Sequence, residues 1–235
     1  MTSNLSVIDQ MQTLIQQWED TDDDKVLFLE CYRMMTGNVL EALDKQVFCD
    51  PVWVKQLIDH FAEYYFLALQ AYEQNPKNAP TVWQLAHNAA SDPEITALQN
   101  LLLGVNAHIN YDLVLTLEDL LRSEWSSHSE QERASRYSDH CRINDIIGQT
   151  IDAVQDQVLD PAMPIMEIVD RLLGPVDEIL ISRLIAHWRE IVWMNADRLL
   201  ALNDFDQQVE LIQQIEQEAL ETGKFIYHKP VVFDL

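Results

Sequence analysis

His108 and Asp112 stand four residues apart in the string Asn106-Ala107-His108-Ile109-Asn110-Tyr111-Asp112-Leu113. On a helix that spacing puts imidazole and carboxylate on one face, within reach of a shared hydrogen bond. Two chemistries use such a pair. In one, the carboxylate orients the ring as a general base. In the other, His108 donates a ring nitrogen and Asp112 an oxygen to a divalent metal, zinc or magnesium. The metal-bound water then becomes the nucleophile for hydrolysis of an ester or phosphoester. Asn106 and Asn110 are also four apart, but at about 100° per residue they lie on roughly the opposite side of the helix. One pair faces a cavity while the other satisfies neighbouring helices. A buried polar network that fixes helix register is the plainer alternative for the whole octet.

A second polar concentration runs from Tyr137 to Asp145, with His140 and Asn144 on one helical face and Cys141 and Asp145 on another. If its helix packs beside the one carrying His108, then Asp139, His140 or Asn144 enters the same pocket. Asp139 and Asn144 would then complete a metal set with His108 and Asp112. A solvated helix face is the competing reading. Arg189 and Trp193 are again four apart, a spacing that suits stacking of guanidinium on indole. Arg189 is suited to neutralise Asp112 or to grip an anionic substrate, which makes His108, Asp112 and Arg189 the candidate catalytic set. His60 with Glu63, and His87, are weaker candidates; His128 and His228 read as loop and tail residues. Trp53, Phe61, Tyr64, Tyr65, Phe66, Trp83, Trp188 and Trp193 are mostly core. A few of them could wall an apolar pocket for a lipid-like or terpenoid ligand.

The elements that must position these groups are all helical. Val7, Ile8, Met11, Leu14, Ile15 and Trp18 recur at helical spacing. The acidic cluster from Glu19 to Asp24 separates that helix from a second over 25–47. Asp50-Pro51 is an N-cap followed by proline at the first helical position, and it opens a third helix through Leu69. Residues 76–80 break the chain before a short helix carrying Trp83 and His87. Asp92-Pro93 repeats the start signal and opens the central helix, 93–121. That helix is apolar on most faces and so belongs inside the protein. Ser129 to Glu132 is a capping box. Residues 161–175 enclose a short helix, 176–202 a long one, and 204–222 an outer helix ended by Gly223. Residues 225–235 read as an extended tail. The expected fold is a single all-α domain over residues 1–235, about eight helices around a buried central one.

Composition narrows the function classes. Thirty-nine acidic against fifteen basic residues give a net charge of −24. That balance argues against phosphate-backbone binding, which needs Lys and Arg, and against docking on anionic membranes. It describes a self-repelling surface on an acidic protein. Three widely spaced cysteines without a CxxC motif suit a reducing compartment. Neither a signal-peptide pattern nor about 18 uncharged apolar residues in a row is present, so the expectation is a cytoplasmic protein.

The run from Leu101 to Leu113 resembles the signature of a helical family known only as a domain of unknown function. The likeness extends to Phe48-x-Asp50-Pro51, Phe61-Ala62-x-x-Tyr65, Trp83, the Asp139/Asn144 segment and Arg189/Trp193. It implies a fold family and no established activity. A more distant similarity is to the zinc-dependent phospholipase C and single-strand nuclease family, all-α enzymes in which a buried helix carries His and then Asp four residues later. Their second His, two residues after the acid, is Val114 here, and their N-terminal Trp ligand is replaced by Met1-Thr2. Asn144-Asp145-Ile146-Ile147-Gly148-x-x-x-Asp152 loosely resembles the second magnesium motif of class I terpene cyclases, with Asp20 to Asp24 standing for the first. These readings leave two functions open. One is an enzyme, a metal-dependent hydrolase in its sharpest form, acting on a small-molecule substrate. The other is a non-enzymatic helical protein that binds a small, apolar ligand or a protein partner.

Overall fold

The computed structural model describes residues 5–21, 23–156 and 178–228. Among these residues there are eight α-helices and no strand. They are α1 (Val7–Thr21), α2 (Lys25–Asp44), α3 (Pro51–Gln74), α4 (Thr81–Ala89), a central α5, α6 (Glu130–Asp156), α7 (Glu178–Ala201) and α8 (Phe205–His228). α5 is a rod of three segments: Ala97–Ala107, a π-helical turn over His108–Asp112, and Leu113–Leu121. The expected all-α single domain is the observed one.

Local signals set the helix starts. The Asp50 carboxylate accepts hydrogen bonds from Val52 N at 3.1 Å and Trp53 N at 3.0 Å, so α3 begins with two of its orphan donors satisfied. The rod begins later than Asp92-Pro93 suggests. Thr96 and Gln99 form a reciprocal capping box there, and residues 92–95 make the turn before it. α2, α3, α4, α7 and α8 pack around the rod, α1 lies on α2, and α6 packs on α7 and α2. Leu103, Leu113, Val114, Leu117 and Leu121 are consequently sealed. At Gly104 an added Cβ would lie 2.6 Å from the Phe28 ring, so the glycine is what lets α2 approach the rod.

The C-terminal end differs from the sequence expectation. Gly223 does not end the last helix, which continues to His228, so residues 225–228 are helical rather than extended. A Cβ at Gly223 would meet Leu85 Cδ2 at 2.9 Å and Asn106 Nδ2 at 3.2 Å. The glycine serves close docking of α8 onto the rod instead of a helix stop. The remainder of the expected tail, the short helix at 161–175 and the side chain of Asp152 lie outside what is described.

Candidate functional site

The polar octet coincides with the π turn. There the Leu113 amide donates to the His108 carbonyl, five residues back, and the α-helical ladder is interrupted. Thr116 Oγ1 donates to the Asp112 carbonyl at 2.8 Å, occupying one acceptor beside that interruption. The two spaced pairs diverge across the rod. Asn110 Nδ2 donates to Asn106 Oδ1 at 2.9 Å, and Asn106 Nδ2 donates to Ala219 O at 2.9 Å, tying the rod to α8. His108 and Asp112 face away, towards α2, α3 and α4.

Asp112 Oδ2 lies 2.9 Å from His108 Nδ1, and both Asp112 oxygens accept from Trp83 Nε1, at 3.1 and 3.0 Å. Trp83 was legible as an aromatic on a short helix, but its role as the donor to Asp112 depends on a tertiary contact that no spacing reveals. The His108 ring stacks on Phe61 with centroids 3.6 Å apart and planes 6° apart, while Tyr32 approaches at 4.3 Å. Burial pushes the Asp112 carboxyl well up, although the Trp83 hydrogen bond opposes this, and the same burial pushes His108 well down. The pair is therefore favoured in its uncharged form: Asp112 Oδ2–H donates to Nδ1, and Nε2 carries the ring hydrogen. That Nε2 is buried and has no hydrogen-bond partner.

His108 forms part of the wall of a cavity of about 180 Å³ bounded by α2, α3, the rod, α6 and α7. The wall is almost wholly apolar, including Phe28, Met35, Leu57, Phe61, Ile109 and Ile185. Asp112 and Trp83 are not part of that wall, so of the hydrogen-bonded trio only His108 borders the cavity. The Tyr32 hydroxyl, also on the wall, is buried without a well-formed hydrogen bond. An unsatisfied buried polar group costs on the order of 1–3 kcal/mol. Cys31 is on the same wall, and burial pushes its thiol up to about 12, far from an activated nucleophile.

The other expected site residues separate into two places. Asp139 is buried, and its carboxylate accepts from Cys49 N at 2.7 Å and Asp50 N at 2.8 Å. It holds the bend between α2 and α3. Asn144 Oδ1 accepts a hydrogen bond from Arg189 Nε. Since α6 packs mainly on α7 and α2, its polar face meets α7 rather than the His108 face of the rod. Among the described residues no three His, Cys, Asp or Glu side chains gather as a metal site. His108, Asp112, Asp139 and Asn144 are thus not brought into one donor set. Asp145 is exposed, 3.4 Å from Arg142, away from any pocket.

Arg189 does join His108 on the cavity wall. It forms no ion pair with Asp112, and no stacking on Trp193 is seen; Trp193 packs on His140, Tyr137 and Trp125. The Arg189 guanidinium donates from Nη2 to His140 O at 3.1 Å. His140 Nε2–H in turn donates to Arg189 O at 3.0 Å, which leaves Nδ1 as the acceptor and keeps the ring neutral. Burial, and secondly the nearby guanidinium, hold His140 well down. Arg189 itself is 2% exposed, and burial lowers it to about 10. No carboxylate among the described residues compensates its charge.

A profile described as a family of unknown function (DUF5995) matches residues 5–229. The chain belongs to that family. No curated protein and no solved structure matches it. Among the described residues no helix is long and apolar enough to cross a membrane.

Proposed function

We propose that this protein binds a small, largely apolar molecule in the cavity beside His108, and that the Asp112-backed ring meets a polar atom of that molecule. The observation that carries the reading is the apolar cavity of about 180 Å³ with His108 on its wall, the one residue of the wall whose ring is backed by a buried carboxyl and whose Nε2 is buried without a partner. Buried polar atoms are ordinarily partnered, and a ligand with an acceptor group would supply the partner that Nε2 lacks. The size is suited to a small ligand: a dry cavity of about 150 Å³ takes up benzene. With Asp112 protonated, His108 offers a hydrogen to the ligand. Acting as the base of a hydrolase would instead need the Nδ1–H tautomer with a free lone pair on Nε2, which an ionised Asp112 favours and burial of that carboxyl opposes.

The test is titration of the purified protein with small alcohols of six to eight carbons, followed by calorimetry and thermal denaturation. Saturable binding with a raised melting temperature is expected, since a ligand selective for the native state stabilises it by mass action. His108→Phe should fold and bind these alcohols at least tenfold more weakly. Absence of saturable binding at millimolar alcohol would overturn the reading. Turnover of ester probes that disappears in His108→Phe would favour the hydrolase instead.

A further inference from the structure

Arg189 is the feature that apolar binding does not explain. A guanidinium is among the most expensive groups to bury and is ordinarily found with a carboxylate or phosphate. Among the described residues its hydrogen-bond partners are neutral: the Asn144 amide, the His140 carbonyl and an uncharged His140 ring. They satisfy Nε and Nη2, whereas Nη1 makes no hydrogen bond to a described residue. The side chain lines the same cavity as His108 and Tyr32.

We infer that the ligand of this cavity is a small carboxylate with an apolar body, its anionic end paired with Arg189. The inference rests on the proposed binding function and adds the chemical class of the ligand. The other polar groups of the wall agree with it. Arg189 can only donate, the hydroxyls of Tyr32 and Thr36 can donate or accept, and among its described residues the wall carries no carboxylate, so its one fixed charge asks for an anion. A planar guanidinium also matches carboxylate geometry better than an ammonium does. The net charge of −24 makes the point sharper, because the molecule as a whole repels anions. Selectivity for an anion must therefore come from the cavity. Comparison with benzene-sized cavities puts the body at about six to eight carbons.

The experiment compares octanoate, methyl octanoate and octan-1-ol on the unmodified protein by calorimetry at neutral pH, below their aggregation limits. Octanoate is expected to bind at least tenfold more tightly than either neutral probe. Added salt should strengthen octanoate binding modestly, by screening the overall repulsion, and leave the alcohol unchanged. In Arg189→Met the preference should collapse to within twofold while octanol still binds. If that variant does not fold, the three-probe comparison on the unmodified chain decides the matter alone. Equal binding of octanoate and octanol overturns the anionic class and leaves the apolar cavity standing. Failure of all three probes to bind removes the binding function itself, and the carboxylate with it.

Discussion

At the scale of single residues, the protonation of one buried carboxyl decides what His108 can offer. Asp112 has Trp83 and His108 as partners and, among the described residues, no Lys or Arg beside it. If it is protonated in the native state, an amide can replace it. The amide oxygen would accept from Trp83 and the amide nitrogen would donate to His108 Nδ1, keeping the ring hydrogen on Nε2. Asp112→Asn should therefore change stability by less than about 1 kcal/mol in urea denaturation, the size of one ordinary hydrogen bond. Asp112→Leu strands the indole N–H and the ring nitrogen together and should cost about 2–6 kcal/mol, at roughly 1–3 for each unsatisfied group. A large loss in the Asn variant would show that the carboxylate is needed ionised. His87, stacked on Trp83 and buried, supplies a second residue-scale prediction. Burial lowers it from the usual 6.5 to about 3, with Lys25 adding to the shift and Asp23 opposing it. Below pH 6.5 the unfolded chain takes up a proton that the native ring refuses, so stability falls as pH drops towards 3. His140 acts in the same direction. The uncharged His108–Asp112 pair carries one proton, and between about pH 4 and 6.5 so does its unfolded counterpart, so it adds no slope there. His87→Phe should flatten the acid limb of stability against pH by one proton, about 1.4 kcal/mol per pH unit.

At the scale of elements, Asp139 is a tie rather than a ligand. Its two backbone hydrogen bonds fasten α6 to the bend where α3 starts, with the N-cap Asp50 as one donor. Asp139→Ala should cost about 3–6 kcal/mol in a denaturant titration, being two charge-assisted hydrogen bonds at roughly 1.5–3 each. Alcohol binding to the folded fraction should be unaffected. An unchanged stability, with binding lost, would return Asp139 to the site. The contrast shows what spacing can convey. Met11, Ile15 and Trp18 announce α1, Asp50-Pro51 announces α3, and the i, i+4 pairing of His108 with Asp112 was readable, because each is a relation within one helix. The alliance of Asp112 with Trp83 and of Arg189 with Asn144 and His140 joins different helices, so no periodicity encodes it. Gly223 misled for the same reason. A glycine that ends a helix and one that admits a neighbouring helix look identical until the neighbour is in place.

At the scale of the whole molecule, a strongly acidic chain carries an apolar cavity among its helices. The cavity of about 180 Å³ forgoes packing that a filled core would have. In large-to-small core variants an enclosed cavity costs about 24 cal/mol per Å³, and the enclosed part of this one carries a cost of that kind. Filling it should recover part of that. Leu102→Phe, on the cavity wall, should raise the unfolding free energy by about 0.5–2 kcal/mol while weakening binding of octanol at least tenfold. Loss of stability in that variant would mean that the wall is already close-packed.

The π turn also bears on how the rod tolerates changes in length. Between the same two flanking segments it accommodates one residue more than an uninterrupted α-helix would, and it absorbs that surplus within His108–Asp112. Removing one residue elsewhere in the rod, such as Leu115, turns everything after it by about 100° and sets Leu117 and Leu121 against the wrong neighbours. Removing Asn110 instead lets the i→i−4 ladder close across the gap and leaves the following segment in phase. The chain without Asn110 should thus remain helical and unfold cooperatively, having lost chiefly the Asn110–Asn106 bond and the present His108–Asp112 spacing. The chain without Leu115 should lose its cooperative transition. Paired circular-dichroism melts of the two deletions make the comparison, and equal damage from both would mean that the surplus residue is not confined to the turn.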